Sequence, residues 1–346
     1  MLAQARICAD HGSPTWAAVL GAAVEDLDRD PRGPLGRLLL GDEADPVRSN
    51  LPLRLVGALH RIALADATCP LRSWLPTTGG VVDPLRAVAA ARDLAADDPE
   101  GLRLAMTAPV QTNDAGRSAA LSAGIHAAVR RHPMPVRLLE IGASAGLNLL
   151  LDRYRIESAT TAWGPLAASV RLADRFAAGA PQPADLAIVE RRGCDPDPID
   201  LTSAVGRDLL RSFVWPERID RLLLLDAAIE TVRHDPPRVD RSVANAWLPG
   251  LIADPVPGLL TIVMHSAVIP YVAADEWAEV EASIAAAGAA ATTAAPFAHL
   301  SFEAVLDVEP LVVDVVLESW PGGGRALLAT CGPHGDDIVW LGDVSS

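Results

Sequence analysis

The chain has no lysine: all 29 of its basic residues are arginine. That absence excludes Schiff-base chemistry, the lysine of a phosphate-cradling P-loop, the strand lysine of a kinase and the Tyr-x-x-x-Lys pair of a dehydrogenase. Cysteine is scarce too. Cys8, Cys69, Cys194 and Cys331 lie far apart with no C-x-x-C pair, so neither a zinc knuckle nor a disulfide framework is expected, and the four read as reduced, buried thiols. No signal-peptide run opens the chain, which points to a cytoplasmic protein. One bilayer-length stretch, Ala282–Phe302, carries no Asp, Glu or Arg, yet it is mostly Ala, Gly and Thr with Pro296 inside and is too weakly apolar to insert. Against the arginines stand 44 acidic residues, and a net charge of −15 repels nucleic acid and anionic membrane surfaces. What remains is 346 residues, 50% hydrophobic, enough for two or three domains around sizeable cores.

The first part reads as helical. Ser13-Pro14 is a cap followed by a first-turn proline, and Trp16, Val19, Leu20, Ala23 and Leu27 then recur at helical spacing. Asp83-Pro84 repeats that start signal, and Leu121, Ile125 and Val129 mark a further helix ending at Arg130–Pro133. Pro/Gly-rich joints at Asp30–Gly36 and Leu75–Pro84 separate these helices. At Val136 the period changes. VRLLEI is a strand, GASAG a glycine turn, and LNLLLDRY is expected to continue as a helix. Leu186–Arg191 and Leu259–Met264 are further strand candidates, with a helical stripe at Leu222, Leu225, Ile229 and Val232 between them, and Asp275 opens another helix. Strands alternating with helices predict a mostly parallel α/β sheet. The runs Leu311–Trp320 and Ala326–Cys331, joined by PGGGR, predict a closing antiparallel hairpin, with Ile338–Leu341 as a last strand. The expected division is a helical domain over 1–132 and a Rossmann-like domain over 133–346.

GASAG, Gly142–Gly146, fits two templates. As G-x-S-x-G it is the nucleophile elbow of an α/β-hydrolase with Ser144 as nucleophile. As Glu140-x-Gly142-x-x-x-Gly146 it resembles the first motif of class I methyltransferases that use S-adenosylmethionine. Position favours the second: everything upstream is helical and no oxyanion loop precedes the turn, whereas a methyltransferase begins its sheet here and ends it with a hairpin. Glycines at 142 and 146 permit a tight turn and close backbone approach to a ligand, and a helix N-terminus beyond them would favour its carboxylate. Asp195, in RRGCDPDP, resembles the G-x-D-x-x-P acid that holds the ribose at the end of the next strand. Two departures stand out: Ser144 replaces the middle glycine, and the 49 residues from Gly146 to Asp195 exceed the usual ~20. A plain tight turn in a Rossmann-like sheet with no cofactor is the competing reading of the same residues.

The run LLEIGASAGLNLLLDRYRI, with QTNDAGR ahead of it and FVWPERIDR and MHSAVIPY behind, resembles an uncharacterised family of bacterial proteins. The resemblance spans most of the chain and implies a methyltransferase-like Rossmann domain behind a helical part. It brings no substrate with it. The expected cofactor set is then Glu140, Gly142, Ala143, Ser144, Gly146, Asn148 and Asp195, holding S-adenosylmethionine for transfer to a small molecule.

Four further residues are candidates for the acceptor side. Asn113 and Arg117 belong to the polar cluster Gln111–Arg117, where capping of the next helix competes with substrate contact. His265 ends a strand at the sheet edge where ligands bind in open α/β folds, with Tyr271 close behind, and an imidazole there suits general-base work or a purely structural hydrogen bond. Trp215-Pro216-Glu217 reads as a helix start or as a platform for a flat ring. The eight histidines form no H-E-x-x-H or similar pair, so no metal is expected. These residues are compatible with three functions: a methyltransferase, a non-catalytic Rossmann-like binding module, and a serine hydrolase acting through Ser144.

Overall fold

A computed structural model describes residues 1–40, 50–305, 311–322 and 324–342; Gly323 of the PGGGR link lies outside the described residues. In chain order the strands are β1 (Val136–Ile141), β2 (Arg155–Glu157), β3 (Ala162–Trp163), β4 (Arg171–Leu172), β5 (Phe176–Ala178), β6 (Ile188–Asp195), β7 (Arg238–Arg241), β8 (Leu260–Ser266), β9 (Phe297–Ala304), β10 (Val313–Trp320), β11 (Gly324–Cys331) and β12 (Ile338–Trp340). Nine of them form one sheet in the order β5, β12, β11, β10, β9, β8, β1, β6, β7, and β3, β2 and β4 form a small second one. β1 lies parallel to β6 and β8, β7 extends from β6 and β9 from β8 in the same sense, and β10, β11 and β12 continue antiparallel. This is the expected α/β class, mostly parallel with an antiparallel C-terminal hairpin.

From β1 the chain builds outward first through β6 and β7, then through β8 and β9 on the other side. The order therefore reverses beside β1, the switch point at whose carboxyl end open α/β sheets bind ligands. Every residue of β1 and β8 is buried, as parallel strands covered on both faces require. On one face Leu139, Ile141 and Val263 pack in a cluster with Trp277, Val280 and Ile284 of the helix Ala274–Ala290. The other face receives the helix Ser118–Arg131. It approaches closely at Gly124, where a β-carbon would stand 2.5 Å from Leu300 Cδ1.

The chain divides into two compact units, 1–112 with 202–225, and 113–201 with 226–346. The expected boundary at 132 differs in two places. The helix Ser118–Arg131 belongs to the sheet unit, because twelve consecutive residues from Ser118 to Val129 are buried, too wide a buried face for a free-standing surface helix. The segment 202–225, inserted in the crossover from β6 to β7, joins the helical unit. There the helix Ala204–Ser212 meets Leu51–Ala65 at Gly57, where a β-carbon would lie 2.7 Å from the Phe213 ring. Trp215 packs on the helical core, and Glu217 accepts hydrogen bonds from Ser13 Oγ at 2.8 Å and Thr15 N–H at 3.0 Å. The helix expected to open at Trp215 starts instead at Ile219, leaving Glu217 to cap the helix Pro14–Arg29.

Other differences trace to weak periodicity. LNLLLDRY is not an α-helix: Asn148–Arg153 is a 3₁₀ segment, kinked at Leu150 (φ −102°, ψ 18°). Asn148 to Leu151 are all buried, so the run has no polar face to set a helical repeat, and Tyr154 Oη donates to Leu147 O at 2.7 Å. Ala282–Phe302 resolves into the end of one helix, a turn and most of β9. No described helix is long and apolar enough to cross a membrane.

Candidate active site

The glycine turn leaves the end of β1 with three residues in the left-handed region: Gly142 at φ +68°, Ser144 at +52° and Gly146 at +77°. A serine there is strained, and such strain persists only where neighbours fix it. Here Asp195, at the end of β6, does so. Its Oδ2 accepts the Ser144 N–H at 3.0 Å and its Oδ1 the Asp197 N–H at 2.8 Å, while Ala143 N–H donates to Cys194 O at 2.9 Å. The turn is thus tied to β6. The two glycines serve packing: a β-carbon on Gly142 would overlap the Val268 side chain, and one on Gly146 would stand 2.5 Å from Pro237 Cγ.

Behind the turn lies a buried polar nest. Asn113 Oδ1 accepts from Leu147 N–H at 3.2 Å, and Ser118 Oγ donates to Asn148 Oδ1 at 2.7 Å. Glu140 is 1% exposed. Burial holds its carboxyl well above the usual carboxylate range, an effect that the nearby Asp195 charge reinforces and that Asn148 and Arg117 oppose. Three buried atoms here, Glu140 Oε2, Ser144 Oγ and Asn148 Nδ2, have no hydrogen-bond partner of normal geometry among the described residues, although the Asn148 amide stands beside Glu140. Unmet polar atoms in such numbers are unusual in a buried site.

Arg117 is buried in the sheet unit rather than standing over it. Its Nε donates to Pro333 O at 3.2 Å, its Nη1 to Ser266 O at 3.4 Å, and its guanidinium lies 5.8 Å from the Phe302 ring. Asp114 caps the short turn ahead of it, accepting from Gly116 N–H at 2.9 Å, and pairs with His334 at 3.0 Å.

His265 stands elsewhere. In register it neighbours Ile141 and Ser301, and strand alternation points all three toward the helix Ala274–Ala290, whereas Glu140 and Phe302 point to the opposite face with Arg117. The expected grouping of His265 with Asn113 and Arg117 around one acceptor is not what the sheet allows. His265 Nδ1 bonds Glu303 Oε1 at 2.6 Å, its Nε2 faces His299 Nε2 at 3.1 Å, and the Trp277 ring meets it edge-on at 4.9 Å. Tyr271, in the turn Ile269–Tyr271, is 55% exposed. Sequence reasoning missed Glu303 and His299. Both lie two residues apart from Ser301 on β9, a strand whose alternation FAHLSFEA was hidden in an alanine-rich stretch.

The family described as "uncharacterized protein conserved in bacteria" (DUF2332) matches residues 1–340. The chain belongs to that family. No curated protein and no solved structure matches it.

Proposed function

We propose that the protein is an S-adenosylmethionine-dependent methyltransferase acting on a small molecule. The observation that carries the proposal is the acid Asp195 bound to the backbone of a left-handed Gly-x-Ser-x-Gly turn at the sheet's switch point. The residues fit the cofactor through Ser144 Oγ, which is buried with no hydrogen-bond partner among the described residues, and through the Glu140 and Asn148 side chains that stand together beside the turn. When bound, S-adenosylmethionine supplies an electrophilic methyl group. Asp195, which also holds the Ser144 and Asp197 N–H groups, would hold the ribose hydroxyls; Ser144 Oγ and Asn148 Nδ2 would meet polar groups of the methionine part, and burial, which raises the Glu140 carboxyl above the usual carboxylate range, works against a negative charge there that would repel the methionine carboxylate. Gly142, Ala143 and Gly146 set the turn that presents them. Asn113 fixes Leu147, and Arg117 locks the loops after β8 and β11.

A second reading, a non-catalytic Rossmann-like binding module, is favoured by the side chains that already cover Gly142 and Gly146. Turnover separates the two. The hydrolase reading lacks a base among the described residues: Ser144 Oγ has no hydrogen-bond partner there, and both His265 nitrogens are engaged on the other face.

Calorimetric titration with S-adenosylmethionine and its demethylated product tests the proposal. Both should bind one to one, and Asp195→Asn should weaken both by about tenfold or more, as loss of a charged hydrogen-bond acceptor implies. Absence of binding in the folded wild-type protein refutes the proposal.

A further inference from the structure

On the face of the sheet away from Arg117, the helix Ala274–Ala290 roofs a cavity of about 570 Å³. That volume lies in the range of small-molecule sites. Trp277, Ile284 and Trp320 supply apolar walls, and His265, 1% exposed, lies among the lining residues. The charged groups facing it come from every neighbouring element: Glu281 from the helix, His265 from β8, His299 and Glu303 from β9, Asp314 and Glu318 from β10, and Arg325 from β11.

Four carboxylates alone would be only an acidic cluster. Their bookkeeping against the imidazoles is what makes the cavity specific. The two Nε2 atoms face each other at 3.1 Å. One hydrogen fits between them and two do not, so His265 and His299 cannot both be imidazolium and together carry at most one positive charge. Burial also pulls His299 below its ordinary range, against the opposing pull of Glu318. Arg325 reaches Glu318 at 3.3 Å. With the carboxylates ionised, the cavity therefore holds at least two negative charges that no lining group neutralises. Glu303 commits Oε1 to His265 Nδ1 at 2.6 Å and to Val268 N–H at 2.9 Å, and Glu281 Oε1 accepts from Trp277 Nε1 at 3.0 Å. The second oxygen of each makes no hydrogen bond to a described residue. Among the described residues no group of His, Cys, Asp and Glu has the arrangement to hold a metal ion.

We propose that this cavity is a second binding site, separate from the glycine turn, for a small organic ammonium ion carrying a flat apolar body. Its N–H groups would donate to Glu303 and Glu281, and its body would lie against the indoles of Trp277 and Trp320, whose ring faces attract cations. The proposal does not depend on the methyltransferase reading, and failure to bind S-adenosylmethionine leaves it standing.

Titration of the full-length protein with phenethylammonium, and with hydrocinnamate as its carboxylate counterpart, tests it. Phenethylammonium should bind one to one and hydrocinnamate should not. Glu303→Gln should weaken binding by about tenfold, the worth of one hydrogen bond to a charged group. Because Glu303 also holds His265, Glu281→Gln on the exposed rim serves as a second variant that leaves the sheet untouched, with the same expected loss. Equal binding of both probes, wild-type affinity in both variants, or no binding of phenethylammonium at millimolar concentration would each overturn the proposal.

Discussion

Acid should destabilise this protein well above the carboxylate range, through two buried histidines. In the helical unit His60 is fully buried, with Nδ1 at 3.1 Å from Ser212 O, Nε2 at 2.7 Å from Thr77 Oγ1 and the Trp16 ring 5.9 Å away. In the sheet unit His126 accepts the Ala184 N–H on Nδ1 at 3.0 Å, with Trp163 edge-on at 5.5 Å. Burial pulls each pKa from 6.5 to about 4. The unfolded chain therefore binds protons between those values that the folded chain refuses, so stability is complete above pH 6.5 and falls as the pH drops toward 4. The full difference is roughly 3 kcal/mol per histidine, and about 2 kcal/mol of it is already lost at pH 5. Together the two would remove about 4 kcal/mol from a folding free energy of ordinary size, roughly 5–15 kcal/mol. The assay is urea unfolding at about pH 7 and pH 5. His126→Asn, whose Oδ1 can still accept from Ala184, and His60→Gln should each remove about half of the pH dependence while costing stability at neutral pH. Unchanged pH dependence in both variants, or none in the wild type, refutes the reasoning.

Gly146→Val should lower the melting temperature by several degrees whether or not a cofactor is present, because its β-carbon meets Pro237 at 2.5 Å and its φ of +77° excludes a branched residue. A normal melting curve would show that the turn has more room than the structure gives it. Arg117→Ala should unfold more readily than wild type by about 2–4 kcal/mol, since it leaves the carbonyls of Ser266 and Pro333 without their donor in a buried setting. Chemical denaturation that shows wild-type stability in this variant would return Arg117 to a role at the surface.

The sequence by itself determined the helix starts at Ser13-Pro14 and Asp83-Pro84, the strands β1, β6 and β8, and the closing hairpin. Caps, prolines and β-branched runs are local signals, and each acts within one turn or one strand. The glycine turn and Asp195 were legible for the same reason, since left-handed φ selects glycine and a strand-end acid follows its strand. Residues 148–153 were not, because the stretch Asn148–Leu151 is buried throughout and carries no period, and its 3₁₀ form is set by what packs around it. The tertiary structure alone decided which candidates meet. His265 and Ser266 are adjacent in the chain, yet pleating sends the imidazole to the face of Glu303 and His299, while the Ser266 carbonyl receives Arg117. Partners 34 and 38 residues away along the chain reach His265 only because β9 pairs in register with β8, and such pairing is a property of the sheet that no local stretch of sequence encodes.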